Sequence, residues 1–255
     1  MEKASVVLVT NVGQGFGRAI ALSFGQAGHD VVCADRDVDL ATKTAAEIED
    51  LGGQAIPIQA DMATLMDVLN VFHKVDEIFG RLTGIVHVAA LDGHTPFEEL
   101  SEAEFSETLD ETLRTTFLTL RTSIQHLRDA WLVLLTPPRS ASEPHILAMR
   151  GALIRLAVGF DVKFPQLRIN VVTPSRAASD PQHDAPLVDL VRFLGSQEAR
   201  GLSGHRLLVE LPPPPLTTET LLPEVQAALD ESIRQDELEA RHYRDLETEP
   251  ADDGS

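Results

Sequence analysis

The stretch that decides the fold is Ser5-Val6-Val7-Leu8-Val9-Thr10-Asn11-Val12-Gly13-Gln14-Gly15-Phe16-Gly17-Arg18. Its apolar first part, residues 5–9, is typical of a buried strand, and a helical pattern follows over residues 17–27. Glycines at such a turn let backbone amides approach a pyrophosphate, whose charge the positive end of the helix stabilises. The stretch therefore predicts a nucleotide site, and the residues expected to bind the nucleotide are Asn11, Gly13, Gly15, Phe16 and Gly17.

The alternation of strand and helix continues along the chain. Further strands are predicted at 31–34, 55–59, 84–89, 132–135, 168–172 and 206–209. Further helices are predicted at 40–50, 65–79, 98–127, 146–160 and 186–194. Parallel strands need crossover connections, which helices supply with right-handed chirality. We therefore expect an α/β fold, a Rossmann-like doubly wound parallel sheet of about seven strands in a single domain.

Composition excludes several classes of protein. The chain has 255 residues, 43% of them hydrophobic and 24% charged, which fits a large globular domain rather than a disordered chain. With 40 Asp and Glu against 21 Lys and Arg, the net charge of −19 repels nucleic acid and anionic lipid. No apolar run approaches the ~20 residues that cross a bilayer. Neither nucleic acid nor membrane is expected as a partner.

Cysteine and histidine usage argues against a metal site and for a reducing compartment. The single cysteine, Cys33, excludes an internal disulfide and a cysteine-cluster metal site. The nine histidines show no spacing that builds a metal site. Residues 1–10 lack the basic start and cleavage site of a signal peptide. We expect no metal and a cytoplasmic location.

Four successive prolines, Pro212 to Pro215, mark a boundary between a domain at 1–211 and a tail at 212–255. The tail is acidic, and its end from residue 245 resembles a solvated segment. After the prolines, apolar residues recur at helical spacing at Leu222, Val225, Leu229 and Ile233. They predict a short amphipathic helix, which either docks on its own domain or contacts another subunit.

An acidic residue follows the glycine turn at the distance that ribose recognition requires. Asp35 closes the second predicted strand, where a carboxylate accepts hydrogen bonds from ribose hydroxyls and repels a 2′-phosphate. This position favours NAD over NADP as the cofactor. The alternative is that Asp35 or Asp37 only caps the following helix.

From about residue 4 to residue 211 the sequence resembles the short-chain dehydrogenase/reductase family. The family pattern Thr-Gly-x-x-x-Gly-x-Gly matches residues 10–17, except that Asn11 replaces the first glycine. The resemblance places Asp61 beside the adenine, with Met62 and Ala89 also at the cofactor. It implies a dehydrogenase fold that binds NAD.

The resemblance breaks at several positions around the expected reaction centre. The family's Asn-Asn-Ala-Gly is His87-Val88-Ala89-Ala90 here, so Ala90 carries a methyl group where the cofactor normally meets bare backbone. The helix asparagine that helps to hold a proton-relay water aligns with Thr112. The substrate-orienting serine falls on Pro137, and Thr136 keeps the nearby hydroxyl.

The largest departure concerns the family's Tyr-x-x-x-Lys pair. Anchoring on Gly151-Ala152-Leu153 places Ile146 at the tyrosine and Arg150 at the lysine, and the alternative register gives His145 and Met149. The only tyrosine in the chain is Tyr243, in the acidic tail. A positioned acid or base contributes roughly 10²- to 10⁴-fold to such a reaction, and an isoleucine can neither donate nor accept a proton. The usual mechanism is therefore expected to be lost.

Three functions remain open. The first is a catalytically degenerate relative that supports an active subunit or regulates through ligand binding. The second is an active NAD-dependent alcohol or ketone oxidoreductase with a relocated acid, and the third is an NAD sensor. The candidate catalytic residues are Thr136, His145, Arg150 and Thr112, and His94 is a further loop candidate.

The resemblance also implies an oligomer. Subunits of this family associate through helix faces, which correspond to 98–127 and 146–160 here. We expect a homo-oligomer or a hetero-oligomer with an intact relative. The same apolar stripe on the first helix also fits ordinary packing within one chain.

Overall fold

The computed structural model describes residues 5–89 and 95–213, and its centre is one sheet of seven parallel strands. The strands are β1 Val6–Thr10, β2 Asp30–Asp35, β3 Gln54–Gln59, β4 Gly84–Val88, β5 Trp131–Leu135, β6 Arg168–Pro174 and β7 Arg206–Val209. Their order in the sheet is β3-β2-β1-β4-β5-β6-β7. The predicted Rossmann-like doubly wound α/β fold is confirmed.

Helices cover both faces of this sheet. They are α1 Gly15–Gln26, α2 Val38–Asp50, α3 Leu65–Phe79, α4 Glu102–Leu109, α5 Thr115–His126, α6 Pro144–Lys163 and α7 Pro181–Gly195. Side chains of β1 alternate between two cores, as the period of a strand requires. Val7 and Val9 pack with α1, α2 and α7, while Val6 and Leu8 pack with α3, α5 and α6.

The strand order reverses at β1, whose neighbours are β2 and β4. In open α/β sheets, the crevice outside the carboxyl ends of the strands at such a reversal is where ligands bind. The topology therefore points to the end of β1 as the place for a site.

Two helix predictions were wrong in their boundaries. The helix predicted at 98–127 is a 3₁₀ turn, Phe97–Glu99, then α4, a π-helical segment, Asp110–Arg114, and α5. Because Ser101 and Glu104 form a capping box, α4 begins at residue 102. The helix predicted at 186–194 begins at Pro181, because Asp180 caps its first amides.

Several expectations fall outside the described residues: Ala90, His94, the amphipathic helix of the tail and Tyr243. Within residues 5–89 and 95–213, no helix is both long and apolar enough to cross a bilayer. The same ranges hold no cluster of His, Cys, Asp or Glu suited to a metal ion.

Candidate functional site

A cleft of about 370 Å³ opens at the carboxyl ends of the central strands. On the β2 and β3 side it is bounded by the glycine turn and by charged residues, and on the β5 and β6 side by the ends of those strands. Its lining includes Asn11, Gly13, Gly15, Phe16, Gly17, Asp35, Arg36, Asp61, Met62, Val88, Glu111, Thr115, Thr136, Pro138, Pro174 and Ala178. Its volume lies in the range of small-molecule and cofactor sites.

The glycine turn forms the floor of the cleft. Gly15 has a φ of +57°, and Asn11, which replaces the first family glycine, has a φ of +55°. Asparagine tolerates this left-handed conformation, and its Nδ2 donates to the carbonyl of Val88 at 2.5 Å. A Cβ added at Gly17 would lie 1.9 Å from the carbonyl oxygen of Asn11. Only glycine therefore fits at this third position.

The two acidic residues after β2 have different roles. Asp37 caps α2, since its carboxylate accepts from the amides of Asp39 and Leu40 at 2.9 and 3.2 Å. Asp35 lies on the cleft and accepts from the amide of Gly13 at 2.8 Å. Capping thus belongs to Asp37, and Asp35 joins the strand end to the glycine turn. Its other carboxylate oxygen accepts from the amide of Asp37 at 3.0 Å, and each oxygen keeps a lone pair that can accept a further hydrogen bond.

A charged cluster, Arg36, Asp61 and Glu111, lines the same side of the cleft. The guanidinium of Arg36 lies 3.5 Å from the Asp61 carboxylate and 3.4 Å from that of Glu111. Asp61 was predicted at this site, whereas Arg36 and Glu111 were not. The position of Arg36 directly after Asp35 was an available signal, but nothing in the local sequence joins it to Glu111.

His87 lies below the cleft in a buried network of hydroxyl groups. Thr115 donates to the carbonyl of Thr112 at 3.0 Å, so its oxygen accepts from Nε2–H of His87 at 3.2 Å. Nδ1 of His87 then accepts from the hydroxyl of Thr10 at 3.1 Å, which itself accepts from the amide of Val88 at 3.0 Å. This arrangement satisfies a neutral imidazole. Burial lowers the pKa of His87 to about 4.

Thr112, expected at the proton-relay position, lies in the π-helical segment and is fully buried. Its hydroxyl donates to the carbonyl of Thr108 at 2.5 Å. Its own carbonyl accepts from the hydroxyls of Thr115 and Thr116, at 3.0 and 2.8 Å. The side chain of Thr112 is therefore engaged within its helix, and it does not line the cleft.

Of the candidate catalytic residues that the structure describes, Thr136 alone lines the cleft. Its hydroxyl lies 2.9 Å from that of Thr173 and 3.2 Å from the carbonyl of Pro137. Neither partner is a base that could take up its proton. The predicted cofactor residue Ala89 is buried beside this end, outside the cleft lining, and its amide donates to Leu135.

Arg150 holds a loop rather than facing the cleft. Its guanidinium donates to the carbonyls of Pro138 and Ala141, at 2.5 and 3.3 Å. The side chain is 8% exposed, and burial lowers its pKa, with a smaller contribution from Arg206. Arg150 does not line the cleft, although Pro138, whose carbonyl it contacts, does.

Ile146 and His145 are also remote from the cleft. Ile146 is 1% exposed and packs against Ala141 of the loop that Arg150 holds. His145 is buried, and its ring stacks against that of Phe97 with centroids 6.2 Å apart. Neither residue lines the cleft, so His145 does not replace the missing tyrosine there.

Comparisons with known proteins agree with this architecture. A family model described as short chain dehydrogenase matches residues 5–131. A short-chain dehydrogenase/reductase of Pestalotiopsis microspora is 26% identical over 191 residues, which cover 70% of this chain and 71% of the relative. The versicolorin reductase of Emericella nidulans is 28% identical over 184 residues, 69% of this chain and 70% of the relative.

The chain belongs to the short-chain dehydrogenase/reductase family. Solved structures show the same fold. A hydroxysteroid dehydrogenase from Escherichia coli superposes with a TM-score of 0.73 and 21% identity, over 81% of this chain and 95% of that chain. A 3-ketoacyl-ACP reductase from Sinorhizobium meliloti gives a TM-score of 0.71 and 24% identity, over 80% and 97%.

In this short-chain dehydrogenase/reductase, the residues at one end of the cleft follow the family's sequence pattern, and the residues assigned to the other end differ from that pattern. The glycine turn, Asp35 and Asp61 occupy the places that the nucleotide-binding pattern assigns to them. At the other end, Ile146 and Arg150, which the sequence pattern aligns with the family's catalytic pair, contact the loop that follows β5, through Ala141 and the carbonyl of Pro138 respectively.

Proposed function

We propose that this short-chain dehydrogenase/reductase family protein is catalytically degenerate, retains NAD binding, and serves as a non-catalytic subunit or regulator of an active oxidoreductase. One observation carries the proposal. The ionisable side chains among the described residues of the cleft lining are Asp35, Arg36, Asp61 and Glu111. The reaction would take place beside β5 and β6. Asp35 and Asp61 follow β2 and β3, which lie on the other side of β1 in the sheet.

The described residues at the β5 and β6 end of the cleft include no group suited to proton transfer. NAD held in the cleft would supply a hydride acceptor, and alcohol oxidation also requires a group that removes the hydroxyl proton. Thr136 is the hydroxyl at that end, and its neighbours are Thr173 and a carbonyl rather than a base. Arg150 donates to two carbonyls and cannot act as a proton acceptor. Among the described residues, the β5 and β6 end of the cleft therefore presents no acid or base, and the Glu111 carboxylate is paired with Arg36.

The nucleotide end suits NAD. The first turn of α1 contains no acidic residue, so the positive end of the helix dipole faces the cleft without a compensating carboxylate. Gly17 lets the first turn of α1 pack closely against the carbonyl of Asn11, and Asp35 accepts hydrogen bonds of the kind that ribose hydroxyls donate. A carboxylate at this position disfavours a 2′-phosphate, which supports NAD rather than NADP.

Apolar exposure on two helices supports the partner role. Phe117 of α5 is half exposed, and on α6 Leu147, Val158 and Val162 are exposed, the last by 78%. Exposed apolar side chains grouped on neighbouring elements are typical of association surfaces. We infer that α5 and α6 form the contact with a second copy or with an intact relative.

The function is tested by calorimetric titration with NAD and NADH, followed by a turnover assay over a broad panel of alcohols and ketones. Binding without turnover is the expected result. Co-purification of a relative that has the Tyr-x-x-x-Lys pair would then distinguish a subunit role from an NAD sensor. A robust rate with the protein alone would contradict degeneracy.

The contact surface is tested by Val162→Glu, with Met66→Glu on α3 as the control, because Met66 is also largely exposed at 69%. We expect Val162→Glu to dissociate the oligomer in sedimentation velocity and Met66→Glu to leave it intact. Equal effects of the two variants, or no effect of Val162→Glu, would contradict the use of α6.

An active oxidoreductase with a relocated acid is the second candidate, and the names of the relatives favour it, since one of them is a reductase. Such an enzyme would use Thr136, the one candidate on the cleft. Turnover abolished by Thr136→Val would support this alternative.

A further inference from the structure

We propose that the cleft recognises the adenosine diphosphate part of its ligand and makes no favourable contact with a nicotinamide. ADP and ADP-ribose would then bind about as well as NAD. This inference rests on the proposed function, because it concerns the same cleft, and it names the class of ligand: adenine nucleotides that carry a diphosphate.

Every recognition element of the described cleft lies on the side of β1, β2 and β3. The turn at Gly13, Gly15 and Gly17 places backbone against the ligand, and Asp35 lies beside it, bonded to the amide of Gly13. The charged residues Arg36 and Asp61 follow β2 and β3. The glycine turn matches the charged phosphates, and Asp35 matches the hydroxyl groups of a ribose. Arg36 and Asp61 match the planar, polar adenine ring.

Among the described residues, the opposite end offers few side-chain hydrogen-bond donors, and its main-chain donors include the amides of Ala177 and Ala178. A nicotinamide carboxamide has donors and an acceptor that need partners when they leave water, and an unmatched amide costs roughly 1–3 kcal/mol. Pro138 and Pro174 line this end, and Pro137 lies between Thr136 and Pro138 in the sequence. Proline has no backbone N–H, so three positions that could have donated from the main chain cannot do so.

The remaining polar group at this end is already used. The hydroxyl of Thr136 has Thr173 and the carbonyl of Pro137 as partners. A nicotinamide carboxamide would have to displace one of them. Its net gain from Thr136 would therefore be small.

The loop that follows β5 is fixed in this closed arrangement. The amide of Arg139 donates to the carbonyl of Pro174 at 2.8 Å, and that of Ser140 donates to Ser175 at 3.0 Å. Arg150 donates to the carbonyls of Pro138 and Ala141 from the other side. Ala141 of this loop also packs against Ile146, and both side chains are buried.

The test is calorimetric titration of the full chain with four probes: NAD, ADP-ribose, ADP and adenosine. We expect the first three to bind with dissociation constants within about threefold of one another, and adenosine to bind at least about 30-fold more weakly because it lacks the phosphates. NAD binding more than about tenfold tighter than ADP-ribose would overturn the inference, since only the nicotinamide distinguishes the two ligands.

The outcomes separate this inference from the proposed function. Preference for NAD without turnover would contradict the ligand class alone and leave degeneracy in place. Preference for NAD with turnover would contradict both. Absence of binding by all four probes would contradict the retained nucleotide site on which both depend, and near-equal binding with no turnover would support both.

Discussion

The cleft has two ends that differ in what builds them. Beside β1 and β2, main-chain conformation does most of the recognition, through a turn that tolerates no side chain at Gly17 and through Asp35 bonded to the amide of Gly13. Beside β5 and β6, recognition would depend on side chains, and the residues found there are a threonine and prolines. The comparison teaches that the described part of the cleft carries its charged side chains at one end and uncharged ones at the other.

Gly17→Ala tests the binding end most severely. The new Cβ would lie 1.9 Å from the carbonyl of Asn11, so the turn must shift. We expect a loss of roughly 100-fold or more in ADP affinity and a loss of roughly 3 kcal/mol in the free energy of unfolding, measured by calorimetry and thermal unfolding. Gly151→Ala in α6 is the control, because a Cβ there has no neighbour within 4 Å. If Gly17→Ala bound ADP as the parent does, the geometry of the turn would be wrong.

Arg150→Met tests the loop at the other end. Removing the guanidinium leaves the carbonyls of Pro138 and Ala141 without this partner, at a cost of roughly 2–4 kcal/mol in the free energy of unfolding. Hydrogen exchange at the amides of residues 139–141 should rise, while ADP affinity should not change. Arg155→Met is the control, since Arg155 is exposed on the same helix. Unchanged exchange in Arg150→Met would show that the loop is held by other contacts.

A variant of His87 tests the buried hydrogen-bond network below the cleft, in which His87 of β4 bonds to Thr10 of β1 and to Thr115 at the end of the π-helical segment. Because its pKa is lowered from 6.5 to about 4, the unfolded chain binds more protons than the folded one between these values. Stability is therefore fully present above about pH 6.5 and falls as the pH decreases towards 4, by roughly 2 kcal/mol between pH 7 and pH 5. We expect His87→Asn to remove this part of the pH dependence in denaturant titrations. An unchanged slope would contradict the buried neutral imidazole.

Asp35 and Asp37 provide the smallest and most specific test. Asp35→Ala should weaken ADP-ribose binding by about tenfold, or ~1.4 kcal/mol, because Asp35 lies on the cleft. Asp37→Ala should cost roughly 1 kcal/mol of stability through the lost helix cap and leave the affinity unchanged. The opposite pattern, with Asp37→Ala reducing affinity more than Asp35→Ala, would reverse the two roles.

The fold was largely readable from the sequence because its determinants are local. The glycine turn and the alternating periods of apolar residues gave seven strands in parallel arrangement. The boundary of α4 and the π-helical segment were missed. The hydroxyls of Thr112, Thr115 and Thr116 donate to carbonyls within their own helix, and the spacing of apolar residues does not indicate such bonds.

The site was predicted less evenly. The sequence located the glycine turn, Asp35, Asp61, Met62 and Thr136 on residues that the structure brings to the cleft. It did not place Arg36 against Glu111, 75 residues away, or Arg150 against the loop at Pro138. Such contacts depend on where long side chains end in the folded protein, which neither spacing nor a family pattern specifies.

The most direct measurement is the rate of NADH formation by the isolated, full-length protein with a panel of alcohols, at several pH values and at saturating NAD. Because the described residues at the β5 and β6 end include no proton acceptor, the proposed function predicts no rate above the uncatalysed background at any pH. A kcat in the ordinary enzymatic range, about 1–10³ s⁻¹, would contradict it.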